Sequence, residues 1–324
     1  MPASAVTLET MAVLDDLIEA YPFKPYRNYR AFSRRRQNDI QRAEILGVLS
    51  RPGGFGFVDS TEKASAVAIV QPAPWESAFF GMPMARFTHV LRGEDPSREA
   101  VRDVSAAALQ QARDRGIKHL SVRLDVGDLD TGQVLEGLGF RMMDVMATYI
   151  WHPKKPAPPS FDLKQMGPLR LFKPEDTDSV LDITREAYQG FRGRYHLDPH
   201  LPQERSDQLY VEWARKCCSG EWASTMLITE DIHGEVKGWL SYGQIEPAST
   251  VGKLQTCGRG LAACRRDSPG AHAGLMWAAC ARIHASGALG ETQTQISNNP
   301  VIHVYQALHG PHVRTDFTLH AWLG

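Results

Sequence analysis

The sequence predicts an α/β (α+β) protein built as two domains in tandem, and three observations carry that expectation. The chain has 324 residues, about twice what one hydrophobic core organises well. The stretch 152–160 holds Pro153, Pro156, Pro158 and Pro159, which excludes helix and sheet interiors alike and marks a linker. Strand and helix patterns follow one another in the same order twice. An offset of 171 residues superposes Gly116 on Gly287 and Gly139 on Gly310, each pair ending a helix ahead of a strand. The expected domains are therefore residues 1–151 and 166–324, with the Pro-rich linker at 152–165.

Apolar periodicity places the elements in order. In the first half helices are expected at 7–20 and 36–49 and strands at 54–59, 64–71 and 84–91. A long helix at 97–115 is followed by a strand at 118–125, a helix at 130–138 and a strand at 141–151. After the linker a strand at 168–172 leads to Pro174, Glu175 and Asp176, which open a helix running to Gly190. A second helix covers 202–219. Strands at 224–230, 235–246 and 256–265 precede a helix at 271–286, a strand at 290–296, a helix at 299–309 and a strand at 313–322.

Composition removes several function classes. With 43% hydrophobic and 23% charged residues the chain is globular in composition. Its 36 Lys and Arg against 37 Asp and Glu offer no electrostatic case for nucleic acid or an anionic membrane as partner, so a small molecule is expected. No run reaches the ~18 apolar residues of a membrane span. Residues 1–20 read as the first helix of a folded domain and not as a leader. The five cysteines lie in the second half and include no CxxC pair, so no zinc site is expected and a reducing, cytoplasmic setting fits. Cys217 and Cys218 are either a redox pair or ordinary helix residues. His303, His309, His312 and His320 lack ligand spacing on any one helix, and no metal is expected. His320 alternates with Thr318 and Trp322 along the last strand, on a face that either borders an acceptor pocket or packs.

The run Thr294-Gln-Ile-Ser-Asn298-Asn-Pro-Val-Ile-His-Val-Tyr305 resembles the fifth strand and fourth helix of the GNAT superfamily of N-acetyltransferases. Thr318-Leu-His-Ala-Trp322, Pro74-Trp-Glu-Ser-Ala-Phe-Phe-Gly81, Arg194-Tyr-His-Leu-Asp-Pro199 and Leu209-Tyr-Val-Glu-Trp213 are similar to members acting on nucleotide-linked amino sugars, the dTDP-fucosamine acetyltransferase-like proteins. The resemblance implies two GNAT-like domains, each a mixed, mostly antiparallel sheet flanked by helices. It also implies acetyl-CoA as acyl donor, seated between strands 256–265 and 290–296. The family's Q/R-x-x-G-x-G/A loop aligns with Pro269-Gly-Ala-His272-Ala-Gly274, a departure at Pro269 and at His272. Gly270, Ala271, Ala273 and Gly274 stay small, so helix-terminal amides can still face a pyrophosphate. Arg265 and Arg266 either add charge attraction or are solvated surface.

On the same resemblance, Tyr305 is the expected acid for the leaving thiolate; its bland alternative is a core tyrosine beside Val301, Ile302 and Leu308. Asn298 either binds the pantetheine arm or caps the next helix. The oxyanion donor is expected among the amides of Leu261, Ala262 and Ala263. His196 and Asp198 are candidates for the base and for acceptor contact, His196 because an imidazole titrates near ~6.5; Glu246, ending a strand, is a second carboxylate. At the 171 offset the first half carries Val134 for Tyr305 and Gly127 for Asn298. Glu94 and Asp95 stand where a pyrophosphate would sit and would repel it. The first domain is thus expected to be non-catalytic, walling the acceptor site or building a homodimer. The expected activity is N-acetylation of a primary amine on a nucleotide-linked amino sugar. The alternatives are N-acylation of an antibiotic, amino acid or polyamine, an acyl group longer than acetyl, and a non-catalytic acyl-CoA-binding protein.

Overall fold

The computed structural model describes residues 3–7, 10–59, 66–93, 98–159, 168–258 and 260–324. Its first elements are β1 Ser4–Ala5, α1 Met11–Ala20, α2 Arg34–Leu49, β2 Phe55–Val58, β3 Ala66–Pro72, α3 Pro74–Phe80, β4 Met84–Arg92, α4 Arg98–Asp114, β5 His119–Asp125, α5 Leu129–Gly137 and β6 Arg141–Trp151. Then come β7 Leu169–Leu171, a 3-10 turn at Pro174–Asp176, α6 Thr177–Tyr188, α7 Arg194–Leu197, α8 Gln203–Cys218, β8 Thr225–Glu230, β9 Val236–Gln244, β10 Thr256–Gly258, β11 Ala262–Cys264, α9 Ala271–Ala285, β12 Leu289–Gln295, α10 Asn299–Ala307 and β13 His312–Trp322. The expected α/β class holds. The repeat is visible in the elements, since β6 and β13 start and end 171 residues apart.

Two short helices were not expected. One is α3, where Pro74 sits at the helix start and Gly81 closes it in the left-handed region at φ 72°, a usual stop signal. The other is the single turn α7. Residues 160–165 of the expected linker, residues 64 and 65 of an expected strand, and Glu94 and Asp95 lie outside the described residues.

The chain forms two compact units, residues 1–145 with 315–324, and residues 146–314. These differ from the expected 1–151 and 166–324, because each half surrenders its last strand. In the first unit the strands run β1-β2-β3-β4-β5-β13, with β13 antiparallel to β5 from Asp316↔Asp125 to Trp322↔His119. In the second they run β6-β12-β10-β9-β8-β7, with β6 antiparallel to β12 from Gly290↔Trp151 to Gln295↔Met146. Burial along β6 explains its allegiance: Arg141 and Met142 are exposed, whereas residues 147–151 are buried. Both strands have the same length and a similar apolar face, so nothing in their own text reveals the exchange.

The first unit's main core joins Val104, Ala108 and Leu109 of α4 to Leu120, Val122 and Leu135, with Leu319 and Ala321 of the exchanged strand. The second unit's core joins Leu275, Met276, Ala279 and Cys280 of α9 to Leu227, Leu240, Tyr305 and Leu308, with Ala147, Tyr149 and Trp151 of the exchanged strand. Burying such side chains stabilises each unit by roughly 1.5–3 kcal/mol per large residue.

Candidate functional site

In the second unit the strand expected at 256–265 is broken. β10 pairs parallel with β12 at Thr256↔Leu289 and Cys257↔Gly290 alone, while β11 pairs antiparallel with β9 at Ala262↔Leu240, Ala263↔Trp239 and Cys264↔Gly238. Among the described residues β11 has no partner strand on its other edge. Two glycines mark the break. A Cβ on Gly258 would overlap the Glu291 carbonyl, and one on Gly260 would overlap the Ser241 carbonyl, so the backbones cross there more closely than any side chain permits.

Alternation along β11 decides which backbone groups face the opening. Ser241 N–H donates to the Leu261 carbonyl at 2.8 Å and Arg265 N–H to the Lys237 carbonyl at 2.8 Å, so Leu261, Ala263 and Arg265 turn toward β9. Ala262 and Cys264 turn away from it. Of the three expected oxyanion donors, the Leu261 amide already donates to Ser241 Oγ at 3.0 Å and the Ala263 amide faces β9. Ala262 is left. Its carbonyl accepts from the Tyr188 hydroxyl at 2.9 Å.

At the end of this opening α9 begins. Gly270 precedes it at φ 86°, a conformation glycine adopts without strain. Ala271 N–H donates to the Ser268 carbonyl and Gly274 N–H to the Gly270 carbonyl, whereas the amides of His272 and Ala273 have no acceptor among the described residues. A helix start with unpaired amides favours an anion. The His272 imidazole is drawn down to about 4 by burial, and its Nε2 is buried without a hydrogen-bond partner.

Tyr305 is 3% exposed. Its ring lies 5.2 Å from Tyr149, 5.8 Å from Trp151 and 6.4 Å from His272, centroid to centroid. The packed-tyrosine description therefore applies to the ring. Its hydroxyl, however, faces Thr292 Oγ1 on β12 at 3.4 Å. Burial pushes the phenol up to about 12. Trp151 is fixed by its Nε1–H donating to the Leu308 carbonyl at 2.8 Å.

Other expected site residues are placed differently. Arg265 donates from Nη1 to Glu186 Oε2 at 2.8 Å, and Arg265 in turn holds the Glu186 carboxyl below the usual carboxylate range. The Arg265 Nε is buried without a hydrogen-bond partner. Arg266 is exposed. Asn298 precedes α10 without a side-chain cap; its Nδ2 donates to Thr294 Oγ1 at 3.2 Å. His196 Nε2 lies 2.9 Å from Asp207 Oδ1, with the ring 2% exposed, and its Nδ1 is buried without a partner. Burial lowers the His196 imidazole, opposed by Asp207. Asp198 is 1% exposed and its Oδ1 accepts from the His200 amide at 3.0 Å. His196 belongs to a layer of rings: Tyr188 stacks on Tyr210 at 4.2 Å, and Tyr210 on His196 at 5.7 Å.

Sequence reasoning missed Glu186, Tyr188, Asp207 and Thr292. It also missed Tyr149 and Trp151, whose alternate positions on one strand signal a common inward face. All five cysteines are free thiols, and burial raises Cys218 to about 11. In the first unit His320 is buried at 1%, its ring 4.5 Å from that of His119. Among the described residues no helix is long and apolar enough to cross a membrane.

Against known proteins, no family model matches the chain. A tandem GNAT protein from the clavulanic acid biosynthesis pathway is similar over 99% of this chain and 99% of its own, with a TM-score of 0.56 and 16% identity. A GCN5-related N-acetyltransferase from Sphaerobacter thermophilus is similar over 99% of this chain and 95% of its own, with a TM-score of 0.61 and 13% identity. The spore coat polysaccharide biosynthesis protein SpsD of Bacillus subtilis is 32% identical over 85 residues, which span 26% of this chain and 28% of that relative's length. At these identities the structural likenesses establish the fold, a tandem GNAT arrangement.

Proposed function

We propose that this tandem GNAT fold is an acetyl-CoA-dependent N-acetyltransferase whose reaction centre lies in the second unit. The observation that carries the reading is the separation of β11 from β12 beside the start of α9. An extended arm bearing amides can lie along a strand edge as a substitute strand, and the two acceptor-less amides of α9 suit a phosphate. The residues present fit such a donor in these respects.

Amide formation requires a C–N bond to form, a C–S bond to break, one proton to leave the amine and one to reach the thiolate. The donor supplies an activated acyl group. The Ala262 amide would stabilise charge gathering on the carbonyl oxygen. Tyr305, held protonated by burial, would supply the proton for sulfur, with Thr292 Oγ1 orienting its hydroxyl. His196 would take the amine proton: neutral, with Nε2–H given to Asp207, it keeps the Nδ1 lone pair for a base role. Asn298 and the amides of Ala271 to Gly274 would hold the donor. We read the first unit as the non-catalytic copy.

For the acceptor, the partial likeness to a polysaccharide biosynthesis protein supports a nucleotide-linked amino sugar, and the stacked rings of Tyr188 and Tyr210 would suit a flat or sugar-like surface. A thiol-release assay with acetyl-CoA across a panel of amines tests this. Release with a nucleotide-linked amino sugar is expected, and release with a different amine alone redirects the acceptor. Heat on titration with acetyl-CoA but no turnover on any amine leaves an acyl-CoA-binding protein, and absence of both removes the reading.

A further inference from the structure

We infer that the His272 side chain is a reader of the acyl donor, with Nε2 hydrogen-bonding an amide of the donor's arm. The inference rests on the preceding reading and adds to it a side chain where the helix start alone would offer only backbone.

Three observations converge on that nitrogen. It is buried and has no partner, whereas buried polar atoms in folded proteins nearly always have one. Its ring lies 6.4 Å from Tyr305, whose hydroxyl faces Thr292 on β12. And the residue belongs to the first turn of α9, where its own amide and that of Ala273 lack acceptors. One residue thus offers an anion-binding amide through its backbone and an amide-binding nitrogen through its side chain. A ligand that meets both has phosphate at one end and amides further along. A neutral imidazole carries one donor and one acceptor nitrogen, and an amide carries both complements, so either tautomer finds a match.

Calorimetry on the full chain tests the assignment with two probes: acetyl-CoA, which has the amide arm, and adenosine 3′,5′-bisphosphate, which has phosphates and no arm. His272→Phe keeps the ring volume and is expected to weaken acetyl-CoA binding about tenfold, the loss of about one hydrogen bond, while leaving the bisphosphate within about twofold. His272→Gln should recover acetyl-CoA to within about threefold of wild type. Equal weakening of both probes, or no weakening by His272→Phe, overturns the inference and leaves the proposed activity intact. A wild-type chain with no affinity for acetyl-CoA overturns both. Should the variants misfold, the 15N resonance of His272 Nε2 in the wild-type chain gives the same answer: it should move on adding acetyl-CoA and hold still on adding the bisphosphate, and an unmoved resonance with acetyl-CoA refutes the assignment.

Discussion

The two units open a pair of parallel strands at corresponding places and fill the openings in opposite ways. In the first, β4 and β5 pair from Met84↔His119 to Phe87↔Val122 and then part, beside an irregularity that leaves Thr88 as the extra residue opposite Ile69 and Val70. Beyond that point several polar groups are paired. Arg92 Nε–H donates to Asp128 Oδ1 at 2.7 Å, the Tyr21 hydroxyl donates to Asp128 Oδ2 at 3.0 Å, and Arg27 donates to Asp125 at 3.0 Å. Phe23 lies under the guanidinium groups of Arg27 and Arg92 at 5.0 and 5.4 Å. In the second, β11 and β12 part, and His272 Nε2 and two helix amides are left unmatched. The difference underlies our proposal that the second opening, and not the first, is the site: polar groups are left unmatched in the second.

The largest effect should come from cutting the chain at the linker. Residues 152–324 alone lack the strand that carries Tyr149 and Trp151, and we expect no cooperative melt by circular dichroism. A fragment that melts cooperatively would show the exchanged strand to be dispensable. Next, Asp128→Ala strands a buried Arg92 and should cost about 3–5 kcal/mol in urea unfolding without altering acetyl-CoA binding; a change in binding would undo the contrast between the two openings. Tyr305→Phe should do the reverse, lowering kcat about 100-fold with stability held within about 1 kcal/mol, since the ring stays. With the phenol at about 12, the wild-type rate should show no alkaline loss from this group up to pH ~10. Equal turnover by Tyr305→Phe at every pH would dismiss the acid role.

The smallest effect is a pH signature. The folded-state value of His272, about 4, lies below the ordinary ~6.5. Its contribution to stability is therefore complete above pH ~6.5 and is lost as pH falls toward about 4. Melting curves between pH 7 and 4 should show that part of the acid loss abolished in His272→Phe.

Much of the fold was legible because apolar periodicity and glycine stops record it locally. Helix α4 was expected at 97–115 and lies at Arg98–Asp114; β6 was expected at 141–151 and lies there. The break between β10 and β11 was not read, because Leu261-Ala-Ala-Cys264 continues a strand-like run; Gly258 and Gly260 were the available signal. The proposed site was legible only through the family resemblance, which singles out Tyr305 by its position. It was illegible where a partner far along the chain decides the role. Arg265 reads either as a phosphate contact or as solvated surface, and nothing near it in the sequence announces its pairing with Glu186, 79 residues earlier. The exchange of β6 and β13 left no trace at all, since each strand satisfies the same alternation in either sheet.

That exchange has a consequence for how the molecule is made. A ribosome releases the N-terminal sequence first, and domains ordinarily fold as they emerge. Here the sheet of the first unit takes residues 316–322 as the partner of β5, so that edge of β5 stays open until the second half has been translated. The earlier half must wait for the later one, and a stalled or truncated message would leave an unprotected strand edge prone to pairing with a stranger.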